Sequence, residues 1–118
     1  MKTLTLGEKQ RLFTKLVAQL IQHAYAQGYE LTLGDAYRDP RLHGQIGEAK
    51  GYGSRNSSHK ERLAIDLNLF KGGVYLTTSE AHKPLGDYWK SLHPDCRWGG
   101  DFKSPDGNHY SFTHQGRA

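Results

Sequence analysis

The feature that most constrains the fold is one long apolar stripe near the start of the chain. Its members recur with the 3.6-residue period of an α-helix: Leu12, Phe13, Leu16, Val17, Leu20, Ile21 and Ala24. Thr5 and Glu8 match the capping box that begins a helix, and Gly28 supplies a stop. The sequence therefore predicts a helix over residues 6–27, with one face that the rest of the chain must cover.

The remaining segments predict short strands and short helices. In chain order they are a strand at 29–37, a helix at 40–46, a loop at 47–58, strands at 63–69 and 74–76 joined by a turn, a helix at 84–92, and strands near 97–98 and at 109–113. The strands follow one another through hairpins rather than alternating with helices. We therefore expect an α+β fold, in which a small, mainly antiparallel sheet packs with the long N-terminal helix and the short helices. At this length we expect a single domain, residues 1–118.

Composition excludes several classes of protein. Apolar runs reach only three residues, far short of the roughly 20 that a membrane-spanning helix needs. The single Cys96 excludes an internal disulfide framework and a CxxC zinc site. A net charge of +4 favours polyanionic partners, although the basic residues are scattered and form no nucleic-acid-binding cluster.

Two of the seven histidines have chemically suggestive neighbours. His59 closes a Ser-rich loop and precedes Asp66, a carboxylate in the middle of an apolar strand. Asp66 either lies on the solvated face of the sheet or needs a buried partner, because burying a lone carboxylate costs several kcal/mol. An extended chain would place Asp66 about 23 Å from His59, so the two can share a metal only if the chain bends near residues 60–62. His109 follows Asp106 by three residues, where Asp-Gly is also an ordinary turn signal.

Taken together, these segments resemble a known family. Residues 57–66 (SSHKERLAID) resemble the S-x-H-x-x-G-x-A-x-D signature of the zinc peptidoglycan peptidases. That family includes D-alanyl-D-alanine carboxypeptidases and dipeptidases, and the L-alanyl-D-glutamate endopeptidases of phage endolysins. Residues 98–102 and 106–109 are similar to its W-G-G-D-[WF] and D-x-x-H segments, and Tyr37-Arg38 with Gln45 is similar to its Y-R…Q segment.

The resemblance implies a role for each matching residue. His59, Asp66 and His109 would ligate one zinc ion at the sheet, and Asp106 would be the general base for attack of a zinc-bound water. Three protein ligands leave a fourth position open, which is typical of a catalytic zinc site. Arg38 would polarise the scissile carbonyl, or else be a surface guanidinium beside a helix start.

Ser57 and Gln45 are the candidate substrate-binding residues that the same resemblance implies. Ser57 would contact substrate or a ligand, although a simple loop serine is an equal alternative. Both residues lie before the first metal ligand in the chain.

Two positions depart from the family pattern. Arg62 stands where the family usually has Gly, which would add strain of about 1–2 kcal/mol if that position needs a positive φ. Ser111 stands where many relatives carry an acidic residue, two places beyond the last histidine ligand. A contact that orients His109 is therefore expected to be absent or supplied elsewhere.

The acidic residue at position 106 decides the subfamily that the resemblance implies. Asp there matches the L-Ala–D-Glu endopeptidases, whereas Glu is typical of the D-Ala-D-Ala dipeptidases. We therefore expect a monomeric, bacteriolytic, endolysin-like hydrolase of the peptidoglycan stem peptide. The alternatives are a D-alanyl-D-alanine carboxypeptidase or dipeptidase, a non-catalytic cell-wall-binding module of the same fold, and a basic nucleic-acid-binding domain. The N-terminal segment lacks the apolar run of a signal peptide, so we expect synthesis in the cytoplasm and action in the periplasm or cell wall after holin-type release.

Overall fold

The computed structural model describes residues 3–48 and 57–118. It contains three α-helices, α1 (Leu6–Ala26), α2 (Pro40–His43) and α3 (Lys83–Leu92), and five strands, β1 (Tyr29–Leu33), β2 (Ala64–Lys71), β3 (Val74–Leu76), β4 (Cys96–Trp98) and β5 (His109–Phe112). Short 3-10 turns lie at Ser58–Glu61, Glu80–His82 and Gly99–Asp101. This part of the chain has no helix long and apolar enough to cross a membrane.

The N-terminal helix forms as its sequence predicts. The Thr5 side chain accepts a hydrogen bond from the backbone N–H of Glu8, and the Glu8 side chain accepts one from the backbone N–H of Thr5. These reciprocal bonds satisfy backbone donors that the first turn leaves without helical partners. Gly28 follows the helix at φ +86°, a left-handed conformation that glycine adopts without steric cost.

The five strands form one antiparallel sheet in the order β1-β2-β5-β4. Strand β3 pairs with the C-terminal end of β2. Helices α1 and α3 pack against the sheet and against each other. The largest fully buried apolar side chains lie in this layer: Trp89, Tyr110, Phe112, Leu20, Leu63, Leu67, Leu69 and Leu85. The predicted α+β class with a small antiparallel sheet is confirmed.

Two predicted elements are shorter in the structure. Strand β1 ends at Leu33 rather than at residue 37. Beyond it two residues bond to one: the N–H of Gly34 donates to the Asp66 carbonyl and the N–H of Asp66 donates to the Asp35 carbonyl, each at 2.8 Å, so the regular pairing is interrupted. A Cβ on Gly34 would lie 3.0 Å from the Cβ of Asp66, closer than most side-chain contacts. Helix α2 ends at His43, before Gly44 at φ +81°. Most of the predicted loop at 47–58, residues 49–56, lies outside the described residues.

Candidate metal centre

The fold brings together the three residues expected to ligate a metal. Asp66 on β2 and His109 on β5 are direct partners in the strand register. His59 lies on the 3-10 turn before β2, and one potential ligand atom from each of the three residues falls within 4.8 Å of the others. Residues that are distant in the sequence therefore converge at one edge of the β2–β5 pair.

The required bend between His59 and Asp66 is present. Residues Ser58–Glu61 form a single 3-10 turn, which ends at Arg62 in the left-handed region (φ 57°, ψ 34°). Ser57 caps the turn by accepting a hydrogen bond from the backbone N–H of His59 at 3.2 Å. Arg62 thus adopts the conformation for which the family pattern has glycine, and the chain reverses quickly enough to place His59 beside Asp66.

The distances fit a tetrahedral zinc ion. Oδ1 of Asp66 lies 3.3 Å from Nε2 of His59 and 3.5 Å from Nδ1 of His109. Ligand bonds of about 2.0–2.1 Å in tetrahedral geometry separate donor atoms by about 3.3 Å. Nε2 of His59 and Oδ1 of Asp66 are buried, and neither makes a well-formed hydrogen bond among the described residues. Leaving buried polar atoms without a partner costs about 1–3 kcal/mol each, a cost that a bound cation would remove.

The ring of His59 is oriented by the backbone. Its Nδ1 lies 3.1 Å from the carbonyl oxygen of Ala36, which can only accept a hydrogen bond. This contact favours a proton on Nδ1 when a metal is bound, which leaves the lone pair of Nε2 for the ion. A carbonyl partner of this kind is typical of histidines that bind zinc.

The ring of His109 lacks an equivalent contact. Its Nε2 is buried without a hydrogen-bond partner in the described part of the chain, and so is the hydroxyl of Ser111. The ring lies between those of His59 and Phe102, with centroid distances of 5.1 and 5.3 Å. The contact that an acidic residue would supply at position 111 is therefore absent among residues 3–48 and 57–118.

The electrostatics of the group favour a charged Asp66. Burial raises the pKa of its carboxyl. The neighbouring rings of His109 and His59 lower this pKa by a larger amount, so the net pKa lies well below its usual range. Asp66 is therefore a carboxylate at neutral pH, which is the form that binds a metal ion.

Arg38 and Ser57 both lie against the segment that carries His59. The backbone N–H of Arg38 donates to the His59 carbonyl at 3.0 Å, and its Nη1 donates to Oγ of Ser57 at 3.1 Å. The guanidinium also pairs with Asp35 at 3.1 Å, and its side chain is 15% exposed. The structure thus places a largely buried cation and a hydroxyl against the segment that carries His59.

Asp106 and Gln45 lie at the periphery of the group. Asp106 is exposed in the turn before β5, where its backbone carbonyl accepts from the N–H of His109 at 3.1 Å. It helps to line a polar cavity of about 220 Å³ together with residues 75–79. Gln45 is exposed, and its backbone carbonyl accepts from Nζ of Lys60 at 3.2 Å.

Two contributions to the site escape sequence reasoning. Lys60 is buried, and its Nζ also donates to the Glu48 carbonyl at 2.6 Å, which holds the 45–48 segment beside the His59 turn. Ala36 contributes only its carbonyl oxygen. Neither role has a signal in the sequence, because a backbone acceptor and a lone lysine carry no distinctive pattern.

Comparison with known proteins places the chain in a family. Residues 50–112, more than half of the chain, match the family described as D-alanyl-D-alanine carboxypeptidase. The matched span includes all three candidate ligands and Asp106, whereas Arg38 and Gln45 precede it. No curated protein matches the chain. With its His-Asp-His group and this match, the chain belongs to the D-alanyl-D-alanine carboxypeptidase family of zinc peptidases.

Proposed function

We propose that this protein is a zinc-dependent endopeptidase that hydrolyses the L-Ala–D-Glu bond of the peptidoglycan stem peptide. Membership of the family supports a peptidase acting on peptidoglycan. The observation that carries the proposal is the convergence of His59, Asp66 and His109. Asp106 begins the turn that leads into His109. The choice of bond rests on aspartate rather than glutamate at position 106.

His59, Asp66 and His109 would hold the metal through two imidazole nitrogens and one carboxylate oxygen. This donor set suits zinc and leaves a position for substrate or water. Zinc in such a site is a Lewis acid that activates water and polarises a carbonyl group. The protein's own part is to fix the three donor atoms at the spacing described above.

The other residues act on the substrate. Asp106 accepts the proton of the attacking water and transfers it to the leaving amine, a role suited to an accessible carboxylate. Arg38 stabilises the negative charge that develops on the carbonyl oxygen, because its guanidinium is held in place before substrate arrives. Ser57, whose hydroxyl accepts from Arg38, and Gln45 bind the peptide.

A D-alanyl-D-alanine carboxypeptidase or dipeptidase activity is the second candidate. It is favoured by the description of the matched family, which is a carboxypeptidase. The two candidates use the same metal group and differ in the bond that is cut, so the products distinguish them.

The decisive experiment is mass spectrometry of defined muropeptides after incubation with the purified protein, with and without a chelator. We expect new fragments that end at L-Ala, and we expect chelation to abolish them. Loss of terminal D-Ala would instead support the carboxypeptidase. Binding to cell walls without any cleavage, in zinc-loaded protein, would support the non-catalytic module and contradict the proposal.

The cellular setting is also part of the proposal. We expect a monomer that acts on the cell wall after release from the cytoplasm through a holin-type pore, with lysis of the cell as the outcome. Expression in a bacterial host with and without a co-expressed holin tests this directly. Lysis that depends on the holin would support the route, and equal lysis without it would contradict it.

A further inference from the structure

The turn between Asp106 and His109 is held from two sides by side chains of other segments. On one side, Oγ of Ser79 accepts a hydrogen bond from the backbone N–H of Gly107 at 2.9 Å. On the other side, Nε1 of Trp98 donates to the Gly107 carbonyl at 2.7 Å. The two peptide groups that flank Gly107 are therefore each fixed by a side chain.

The neighbouring peptide groups are fixed by backbone partners. The N–H of Asp106 donates to the Gly99 carbonyl at 2.8 Å, and the carbonyl of Asn108 accepts from the N–H of Leu67 at 2.9 Å. The turn consequently has a hydrogen-bond partner at four successive points, from the N–H of Asp106 to the carbonyl of Asn108. Few conformations satisfy all of them.

Close packing also restricts this turn and the side chains that bond to it. A Cβ on Gly107 would lie 2.4 Å from Cα of Ser79, and a Cβ on Gly99 would lie 2.0 Å from the Asp106 carbonyl oxygen. The Trp98 ring is wedged between two further glycines, since a Cβ on Gly86 or Gly100 would lie 2.2 Å from it. The glycines therefore let Ser79 and Trp98 reach the turn, and they leave the indole little freedom to rotate.

We propose that Ser79 and Trp98 are positioning residues that hold the Asp106–His109 turn in its working geometry. Both act through the backbone of Gly107 and so set the place of the Asp106 carboxylate and of the His109 ring together. The catalytic part of this inference rests on the proposed function of Asp106, whereas the hold on the turn and on His109 does not. A displacement of about 1 Å in a catalytic group can cost about a hundredfold in rate.

The test uses Ser79→Ala and Trp98→Phe with a matched control for each. Thr78→Ala is the control for Ser79, because Thr78 lines the same cavity but accepts its hydrogen bond from Ala81 at 3.2 Å rather than from the turn. Trp89→Phe is the control for Trp98, because its buried indole N–H donates to the carbonyls of Arg97 and Ser111, outside the turn.

Four quantities are measured on each zinc-loaded protein: the amide exchange rate of Gly107 by NMR, the zinc affinity by competition with a chelator, and kcat and KM on a muropeptide. We expect faster exchange at Gly107 in both test variants, and zinc affinity lower by about tenfold. We also expect kcat lower by about tenfold with KM little changed. The two controls should lose thermal stability at most.

The outcomes separate this inference from the proposed function. Wild-type exchange at Gly107, or unchanged zinc affinity and kcat despite faster exchange, would overturn the positioning role. If the wild-type protein cleaves no muropeptide, the proposed function fails, and exchange and zinc affinity still decide whether the turn is held. If Trp98→Phe does not fold, Ser79→Ala and its control carry the test alone.

Discussion

His59 and His109 face the same carboxylate, but different parts of each residue are held in place. The ring of His59 is oriented by a hydrogen bond from Nδ1 to the Ala36 carbonyl, and its segment turns through a strained left-handed residue. The ring of His109 has no such bond in the described residues, but the turn that precedes it is fixed at successive peptide groups. The two candidate metal ligands are thus positioned differently, His59 through its ring and His109 through the backbone that precedes it.

The largest expected effect comes from removing either histidine. His59→Ala and His109→Ala should each lose the bound zinc and with it all measurable peptidase activity, because two remaining protein ligands hold zinc poorly. Metal analysis of the dialysed proteins checks this. Wild-type zinc content in both variants would refute the ligand set. His23→Ala, in the last turn of α1, serves as the control, because that ring stacks on Tyr88.

Asp106→Asn should separate chemistry from metal binding. We expect normal zinc content with kcat reduced by about 10²–10⁴-fold, the usual contribution of a general base. Asp87→Asn, which changes an exposed carboxylate on α3, should leave both quantities unchanged. Activity near the wild-type level in Asp106→Asn would remove its role as the base.

Arg38→Ala tests the His59 side of the site. We expect kcat to fall about 10²-fold, because a fixed donor to the developing oxyanion is lost, while zinc remains bound. Arg41→Ala removes an exposed arginine from the next helix and is the matched control. Equal kcat values for Arg38→Ala and Arg41→Ala would show that Arg38 has only a structural role.

Strand β5, on the His109 side, is also supported by a buried pair of side chains. Nδ1 of His82 lies 2.8 Å from the hydroxyl of Tyr110, and burial lowers the pKa of His82 to about 4. Because the unfolded chain takes up this proton near pH 6.5 and the folded chain only near pH 4, the free energy of unfolding should decrease as the pH falls through that window. Urea denaturation of the wild type and of His82→Gln checks this, and identical pH slopes would contradict it.

The smallest expected effect concerns the bend before β2. Arg62→Gly removes the strain of a left-handed conformation, about 1 kcal/mol. It also removes the stacking of the guanidinium over the Tyr37 ring at 4.0 Å, which stabilises the fold by a similar amount. Arg62→Ala loses the stacking and keeps the strain. The Gly variant should therefore be near the wild type in the free energy of unfolding, and the Ala variant lower by about 1 kcal/mol. The reverse order would show that the turn is not strained.

Local patterns predicted much of this structure. The capping box and apolar stripe located α1 to within a residue, since helix periodicity and caps are properties of neighbouring residues. The alternation around Asp66 and the turn before β3 predicted the hairpin. The expected meeting of His59, Asp66 and His109 depended on the family resemblance, because spacing alone left a solvated Asp66 open.

Contacts made by the backbone across long distances in the sequence were not predictable in this way. The regular pairing of β1 ends early where Gly34 and Asp35 both bond to Asp66. The Asp106–His109 turn is held by Ser79 and Trp98. A serine hydroxyl or an indole N–H can bond to almost any exposed peptide group, so its partner is decided only when the elements pack. Trp98 is buried, as a core residue would be, and its Nε1 also donates a hydrogen bond to the turn that carries Asp106.

The direct pairing of Asp66 with His109 would link binding of the proposed zinc ion to folding. Side chains alternate between the two faces of a sheet, so a slip of one residue between β2 and β5 would send one of these ligands to the opposite face. Only the correct register between β2 and β5 presents both donors on the same face. In the proposed zinc enzyme, metal binding would therefore favour the correct alignment of the central strands over a slipped one.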